Sequence, residues 1–513
     1  MKTKGKFYRI LLRRRVTVSL VIILQVVLLV FFVVNTSRFS YWIEYGLTFL
    51  SFIVAIKVVG KSVNGSFKLI WVVLILAFPV VGGLLYLWFN YQQSTKKFKK
   101  RLAVLEEGTK AMLSMPGEFF DIAAGVAPEC MNQISYLQKY AGYPVYTGTR
   151  TEYLSPGEAK FERLLEILKK AEKYIFLEYF SIKEGIMWNS VLEILIEKAK
   201  KGVDIRIIYD DVGCFLMFPK DYPKKMEEYG IKCVVFNPIR PVFATVQNYR
   251  DHRKIAIADG VTAITGGINL SDEYINAVEK YGHWKDAAVL LEGPGVWSFT
   301  VIFLRMWAMC TGVDENFAEF YPDFGKAQEP EPEGLVQPYA DSPLDNEQVG
   351  ENVYLQMIGN AREYVYINTP YLVPGDSMLS ALSLAAKSGV DVRLVTPSYP
   401  DKVYVHIVTR SYYRELIMAG VKIYEYSEGF IHSKTTIADG KVATVGTSNI
   451  DFRSFYLSFE CGVWLYNCGA VAEIYKDFME TLNRCRRMSE NEFEYKWYHR
   501  ILQDILRLFA PVL

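Results

Sequence analysis

One spaced pattern occurs twice in this chain: His252-Arg253-Lys254, four residues, Asp259, six residues, Gly266-Gly267-Ile268-Asn269, and then His432-Ser433-Lys434, four residues, Asp439, six residues, Gly446-Thr447-Ser448-Asn449. Only five histidines stand in 513 residues, and two of them open these copies. A lone His-x-Lys would read as a solvated strand edge, whereas two copies with intact tails argue for a fold with two related halves and one shared task. His and Lys at i and i+2 share a face of a β-strand. Ile255, Ile257 and Ile264, like Thr436, Ile437 and Val445, supply β-branched character, and Asp259-Gly260 and Asp439-Gly440 mark tight hairpin turns. Each copy is predicted as strand, turn, strand, with Asn on the following loop. Imidazole, ammonium and amide then converge at one strand end.

That set of groups suits a phosphodiester. Lys neutralises a non-bridging oxygen, Asn donates a hydrogen bond to it, and His attacks phosphorus or carries a proton near neutral pH. With two copies, one histidine can be the nucleophile while the other protonates the leaving oxygen. This chemistry calls for no metal and no other cofactor.

The flanking halves repeat in the same order. Ala171 to Leu177 corresponds to Ala361 to Ile367, and Gly202 to Arg206 to Gly389 to Arg393. Ser155-Pro156-Gly157-Glu158 reads as a capping box with Pro at the first helical position, followed by Phe161, Leu164, Leu165 and Leu168 at helical spacing. Trp188, Leu192, Leu195 and Ile196 mark a second helix. Strands alternating with helices imply an α/β fold, each half a sheet flanked by helices. The predicted organisation is a first lobe at 151–324, a linker at 325–345 containing Glu329 to Gly334, a second lobe at 346–490, and one active site at their interface.

The chain resembles the phospholipase D superfamily, whose members carry two His-x-Lys-x4-Asp motifs, and within it the bacterial cardiolipin synthases. The finer resemblance rests on Asn248 to Asp251, Asp272-Glu273-Tyr274, Gly282 to Asp286, Asn368 to Tyr371, Asp451 to Ser454 and Arg507 to Pro511. It implies two phospholipase D-like lobes and transfer of a phosphatidyl group from one phosphatidylglycerol to another, giving cardiolipin and glycerol through a phosphatidyl-histidine. A hydrolase, or a transferase using another alcohol, would employ the same residues. The resemblance places His252, Lys254, Asp259, His432, Lys434 and Asp439 in the catalytic motifs, with Asp259 and Asp439 structural by family habit. Lys254, Asn269, Lys434 and Asn449 would hold phosphate. Asp286 and Glu460 would orient the imidazoles, His252 would be the nucleophile, and His432 the acid and base. Lys285 stands where many relatives carry Arg. Glu178 and Tyr371 are candidate pocket residues by position.

Before the lobes, three apolar stretches at 16–34, 41–59 and 69–89 are each long enough to span about 30 Å of hydrocarbon. Residues 1–95 are therefore predicted as a multi-pass transmembrane anchor in the cell membrane, and 96–150 as a basic connecting region. The basic residues among 2–15, at 57–68 and at 96–101 give conflicting orientations, which a last stretch that dips and returns at Pro79, Gly82 and Gly83 would reconcile; the side on which the catalytic part lies is open. They would also attract anionic membrane lipid. Phosphatidylglycerol is the expected partner and nucleic acid is not, because a nuclease has no use for a membrane tether; homo-oligomer formation is left open. Phe493, Trp497, Ile501, Ile505 and Leu508 suggest an amphipathic helix at 491–513, suited equally to a membrane or to its own domain. Seven scattered cysteines lack metal spacing and read as free thiols.

Overall fold

The computed structural model describes residues 41–90, 92–113, 117–215, 217–240, 245–322, 334–493 and 496–512. The apolar stretch 16–34 and most of the expected linker, 325–333, lie outside the described residues. The chain divides into two compact units, one comprising residues up to Phe98 together with Pro238–Asn248, the other Lys99–Asn237 and Tyr249–Leu513.

In the first unit, helices Tyr41–Val59, Gly65–Ala77 and Pro79–Asn90 pack on one another around Val54, Val58, Ile75 and Tyr86. The expected 21-residue span 69–89 is thus two short helices. Pro79 has no N–H and biases Phe78 away from helical geometry, and Phe78 indeed lies at φ −135°, ψ 74°. Gly82 then lets the next helix fold back, since a Cβ there would lie 2.7 Å from Ile75 Cα. Helices of 13 and 12 residues reach about 20 Å, short of a bilayer core. Among the described residues no helix is long and apolar enough to cross a membrane. The unit nevertheless exposes Phe49, Phe52, Ile56, Leu76 and Trp88.

The second unit carries both lobes. The first contains β1 (Arg150–Leu154), β2 (Tyr174–Tyr179), β3 (Asp204–Asp210), β4 (Lys232–Phe236), β5 (Arg250–Asp251), β6 (Lys254–Ala258), β7 (Thr262–Gly266), β8 (His283–Lys285) and β9 (Ala288–Glu292). Seven of these form a sheet in the order β1-β9-β7-β6-β2-β3-β4. The second lobe contains β10 (Leu335–Asp341), β11 (Tyr364–Asn368), β12 (Leu372–Val373), β13 (Asp391–Pro397), β14 (Lys422–Tyr426), β15 (Gly429–Ile431), β16 (Thr435–Ala438), β17 (Val442–Gly446), β18 (Ile450–Asp451), β19 (Ser458–Tyr466) and β20 (Cys485–Arg487). Its sheet runs β10-β19-β17-β16-β11-β13-β14-β20. In each, β2-β3-β4 or β11-β13-β14 is parallel and the motif hairpin β6-β7 or β16-β17 antiparallel. The sheets are therefore mixed. The tight Asp-Gly turns require antiparallel neighbours, whereas the helical crossovers produce parallel ones.

Two local expectations change. Leu335–Asp341, inside the expected linker, is the edge strand β10 paired with β19, because its Val336, Tyr339 and Ala340 side chains are buried. Ser155 does not cap the following helix, Gly157–Lys170. Its hydroxyl lies between lobes instead, donating to Asp477 and accepting from Lys285 Nζ, which itself sits 2.6 Å from the Asp477 carboxylate.

Aliphatic side chains fill the first lobe. Ile175, Leu177, Ile205, Ile207 and Leu290 meet Leu164, Leu168, Val191 and Leu195 of the covering helices. Burial at about 25 cal/mol per Å2 of apolar surface is what holds such a sheet between its helices. The cysteines are free, and Cys130, Cys214, Cys233, Cys461 and Cys468 are buried.

Candidate active site

The segment before each motif crosses to the other lobe. β5, just ahead of His252, pairs in parallel with β19 of the second lobe, and His252 N–H donates to Phe459 O at 2.9 Å. β15, just ahead of His432, pairs in parallel with β8 of the first lobe, and His432 N–H donates to Lys285 O at 2.7 Å. Each histidine is thus fixed by the backbone of the opposite lobe.

The side chains repeat that exchange. His252 Nδ1 lies 3.0 Å from both oxygens of Glu460, on β19. His432 Nδ1 lies 2.7 Å from Asp286 Oδ2, just after β8. Both carboxylates are fully buried, so in the tautomer that donates Nδ1–H to them the Nε2 lone pair is left available. Thr447 supports Glu460, its hydroxyl donating to Oε2 at 2.5 Å and accepting from Cys461 N–H at 3.0 Å. The matching position of the first motif is Gly267, where a Cβ would fall 2.1 Å from Asp286 Oδ1. One carboxylate is held by a hydroxyl and the other occupies the space a side chain would have filled.

Lys254 and Lys434 are buried beside the histidines. Lys254 Nζ donates to His252 O at 2.5 Å, and Lys434 Nζ donates to His432 O and lies 2.8 Å from His432 Nδ1. Burial lowers the Lys254 ammonium to about 8 and the Lys434 ammonium to about 7, against opposing pull from Glu460 and Asp286. Burial likewise depresses His252 to about 4, offset in part by Glu460, and holds His432 well below the usual range, where both lysines add to the effect. Burial raises Asp286 to about 7 although Lys434 opposes it. Glu460 is buried too, yet His252, Lys254 and the Thr447 hydroxyl bring it below the usual carboxylate range. The result is two neutral imidazoles beside two lysines brought close to neutrality by burial, whose charged form a bound anion would favour.

Asn269 and Asn449 lie at the ends of the hairpins. Asn269 Nδ2 donates to the Tyr274 hydroxyl at 2.7 Å, and its Oδ1 accepts from Ser181 N–H. Asn449 Nδ2 donates to Asp451 at 3.0 Å. Each amide has a second N–H to offer. Aromatic rings wall the site: Phe180 packs edge-on to His252, and Tyr274, Trp284 and Phe430 surround His432.

The motif aspartates are not brought here. Asp259 and Asp439 sit at the far end of their strands, about 16 Å of chain from the lysines. Asp259 accepts from the N–H groups of Glu172, Lys173 and Tyr174 at 2.7 to 2.9 Å, and Asp439 from Arg362, Glu363 and Tyr364 at 2.8 to 2.9 Å. They tie the hairpin to the start of the neighbouring strand. Glu178 is no pocket residue either: it is fully buried and pairs with Arg253 at 3.5 Å, because Arg253 points to the other face of the strand from His252 and Lys254. Arg253 also donates to Glu460 O and Asp341 O, another inter-lobe tie. Tyr371 does lie by the site, its hydroxyl donating to Asp401 and its ring 5.2 Å beneath the Lys402 ammonium. His283 is structural, with Nδ1 3.1 Å from the Tyr426 hydroxyl. Thr447 and Tyr274 stood in quoted motifs without a role and Lys402 was not singled out; the Gly267/Thr447 difference between the copies was the signal that could have given Thr447 its role. Among the described residues no cluster suited to a metal ion is present.

Two lobes that exchange histidine-orienting carboxylates around paired lysines define a twin-histidine enzyme for phosphodiester chemistry. The family model described as "Cardiolipin synthase, PLD-like domain" matches residues 164–307 and 354–482, and "Phospholipase_D-nuclease N-terminal" matches 46–89. An uncharacterized protein of Streptococcus mutans is 42% identical over 86% of this chain and 96% of its own length. Cardiolipin synthase 2 of Bacillus anthracis is 35% identical over 91% of this chain and 90% of its own. Cardiolipin synthase of Alkalihalophilus pseudofirmus is 34% identical over 87% and 88%. The chain belongs to the phospholipase D-like cardiolipin synthase family. The crystal structure of phosphatidylserine synthase from Haemophilus influenzae shares the fold, with a TM-score of 0.54 over 71% of this chain and 93% of that one at 15% identity.

Proposed function

We propose that this protein is a cardiolipin synthase that joins two phosphatidylglycerol molecules, releasing glycerol. The observation that carries the reading is the reciprocal pairing of His252 with Glu460 and of His432 with Asp286, which gives one site two independently oriented imidazoles. Lys254 and Lys434, assisted by Asn269 and Asn449, hold the phosphodiester. His252 Nε2 attacks phosphorus as the bond to glycerol breaks, and protonated His432 gives its proton to the departing oxygen. The terminal hydroxyl of a second phosphatidylglycerol then attacks the phosphatidyl-histidine, its proton passes to His432, and the P–N bond breaks. His252 takes the nucleophile's role because it is the more accessible of the pair, 18% against 9% of the side chain. His432 is neutral in the empty site, so the proton it donates is taken up as the phosphodiester anion binds beside it.

We put the reaction at the cell membrane, with the N-terminal apolar region as its membrane attachment. The exposed Phe49, Phe52, Ile56, Leu76 and Trp88 support contact with lipid.

Incubation of the full chain with phosphatidylglycerol alone tests the reading. Cardiolipin with equimolar glycerol is expected; phosphatidic acid as the sole lipid product would make it a hydrolase. Mass spectrometry of the His432→Ala variant after quenching without acid should find the phosphatidyl group on His252, and finding it only on His432 in the His252→Ala variant reverses the roles.

A further inference from the structure

The C-terminal helix Trp497–Phe509 is turned the wrong way round for a helix that merely covers its own domain. A helix docked for core burial presents its apolar stripe inward. Here Trp497, Tyr498, Ile501, Leu502, Ile505 and Phe509 form one stripe of exposed residues, with Trp497 74% accessible, while Leu508 on the same face is half-buried. The opposite side, at Gln503, Leu506 and Arg507, is the half-buried one. Arg507 holds the helix in place: its guanidinium stacks 4.1 Å over the Tyr412 ring and reaches 3.8 Å from Glu415. Phe493 does not extend the stripe, since it is buried against Tyr413 in the preceding turn.

We propose that this outward face is a second membrane-docking surface, lying in the plane of an anionic phospholipid layer and steering lipid into the site. Its composition fits that occupant. Aliphatic residues are flanked by Trp497 and Tyr498, which favour the interface, while exposed Lys496 and Arg500 provide charge complementary to anionic headgroups, offset only by Asp504. Its place in the fold fits too. The helix packs against Val403–Ser411, whose first turn exposes Val403 and Tyr404. Directly before that turn stand Asp401 and Lys402, the pair on Tyr371. Tyr371 in turn leads into β12, which pairs with β18 immediately after Asn449. The helix is thus linked to the phosphate-holding residues through Val403–Ser411, Tyr371 and β12. The inference rests on a lipid substrate only for its purpose; the docking itself is measured without turnover.

The test uses the full chain reconstituted in vesicles of phosphatidylglycerol and phosphatidylcholine, spin-labelled at Ile505→Cys, with Lys476→Cys, exposed on another helix, as the aqueous reference. Labelling of the unsubstituted chain gives the background from its own cysteines. The expected result is that the label at 505 meets oxygen in preference to a water-soluble nickel chelate, while the label at 476 shows the reverse. Equal exposure of both sites to nickel overturns the proposal, and so does dipolar broadening at 505, which would mean that a second copy covers the face. The double variant Ile501→Glu, Ile505→Glu, altered only at exposed positions, should raise KM for phosphatidylglycerol, measured as mole fraction, by about threefold or more with kcat unchanged. An unchanged KM in a protein that still turns over also overturns it.

Discussion

His432 Nδ1 of the second lobe lies 2.7 Å from Asp286 Oδ2 of the first, and His252 of the first lobe faces Glu460 of the second in the mirrored arrangement. Neither lobe therefore contains a complete histidine–carboxylate pair. Asp286→Asn or Glu460→Gln should each lower kcat by about 10²- to 10⁴-fold with little change in KM, because the amide favours the wrong imidazole tautomer while the fold is kept. Combining Asp286→Asn with His432→Ala should cost little beyond His432→Ala alone, whereas pairing it with Glu460→Gln should cost more than either single change. Steady-state kinetics of the set would check the crossed assignment; if Asp286→Asn proved redundant with His252→Ala instead, the pairing would be wrong.

The two motifs solve carboxylate placement differently, and this gives a second test. Gly267→Ala pushes a methyl group to within 2.1 Å of Asp286 Oδ1, so the carboxylate must move away from His432. A loss of kcat approaching that of Asp286→Asn is expected. Thr447→Val removes a hydroxyl that donates to Glu460 and accepts from Cys461 N–H, leaving a buried carboxylate less satisfied. About 1–3 kcal/mol of stability should be lost, together with some turnover, as read from thermal unfolding and kcat.

Asp259 and Asp439 should behave in the opposite manner. Each ties the backbone of a neighbouring strand through three N–H groups, far from the reacting phosphorus. Asp259→Asn or Asp439→Asn weakens charge-assisted bonds, at a cost of about 1–3 kcal/mol in unfolding free energy. The unfolding midpoint should fall while kcat at a permissive temperature stays near that of the parent chain.

Much of this arrangement was legible in the sequence because its signals are local. The i, i+2 spacing of His252 and Lys254, the Asp259-Gly260 turn and the β-branched flanks each follow from strand geometry, and the repeat doubled the weight of every one. The carboxylates Asp286 and Glu460 came from resemblance, and no spacing could say which histidine each would face, since that depends on how two lobes pack. Glu178 was misplaced because strand alternation turns Arg253 away from His252 and Lys254 but does not say that Glu178 of the neighbouring strand lies on that same far face. The break in 69–89 was legible only in part: hydropathy there is continuous, which favours one span, while Pro79, Gly82 and Gly83 act on backbone geometry and allow the segment to turn back.

The lysines set a limit on the alkaline side. A lysine binds phosphate only while protonated, and burial brings Lys254 down to about 8 and Lys434 to about 7, so both lose charge as pH rises through that window. In the free enzyme kcat/KM should therefore decline above about pH 7 to 8. A bound phosphodiester anion favours the charged form, which moves the corresponding limb of kcat to higher pH. Lys254→Arg keeps its charge far beyond this range, so its contribution to the alkaline decline should vanish even where the bulkier guanidinium lowers the plateau. His252 gives no such limb above neutrality, since its depressed pKa of about 4 keeps it neutral throughout. Measuring kcat/KM from pH 5 to 10 for the parent chain and Lys254→Arg separates the two groups; an alkaline limb unchanged in the variant would remove Lys254 from the phosphate-holding set.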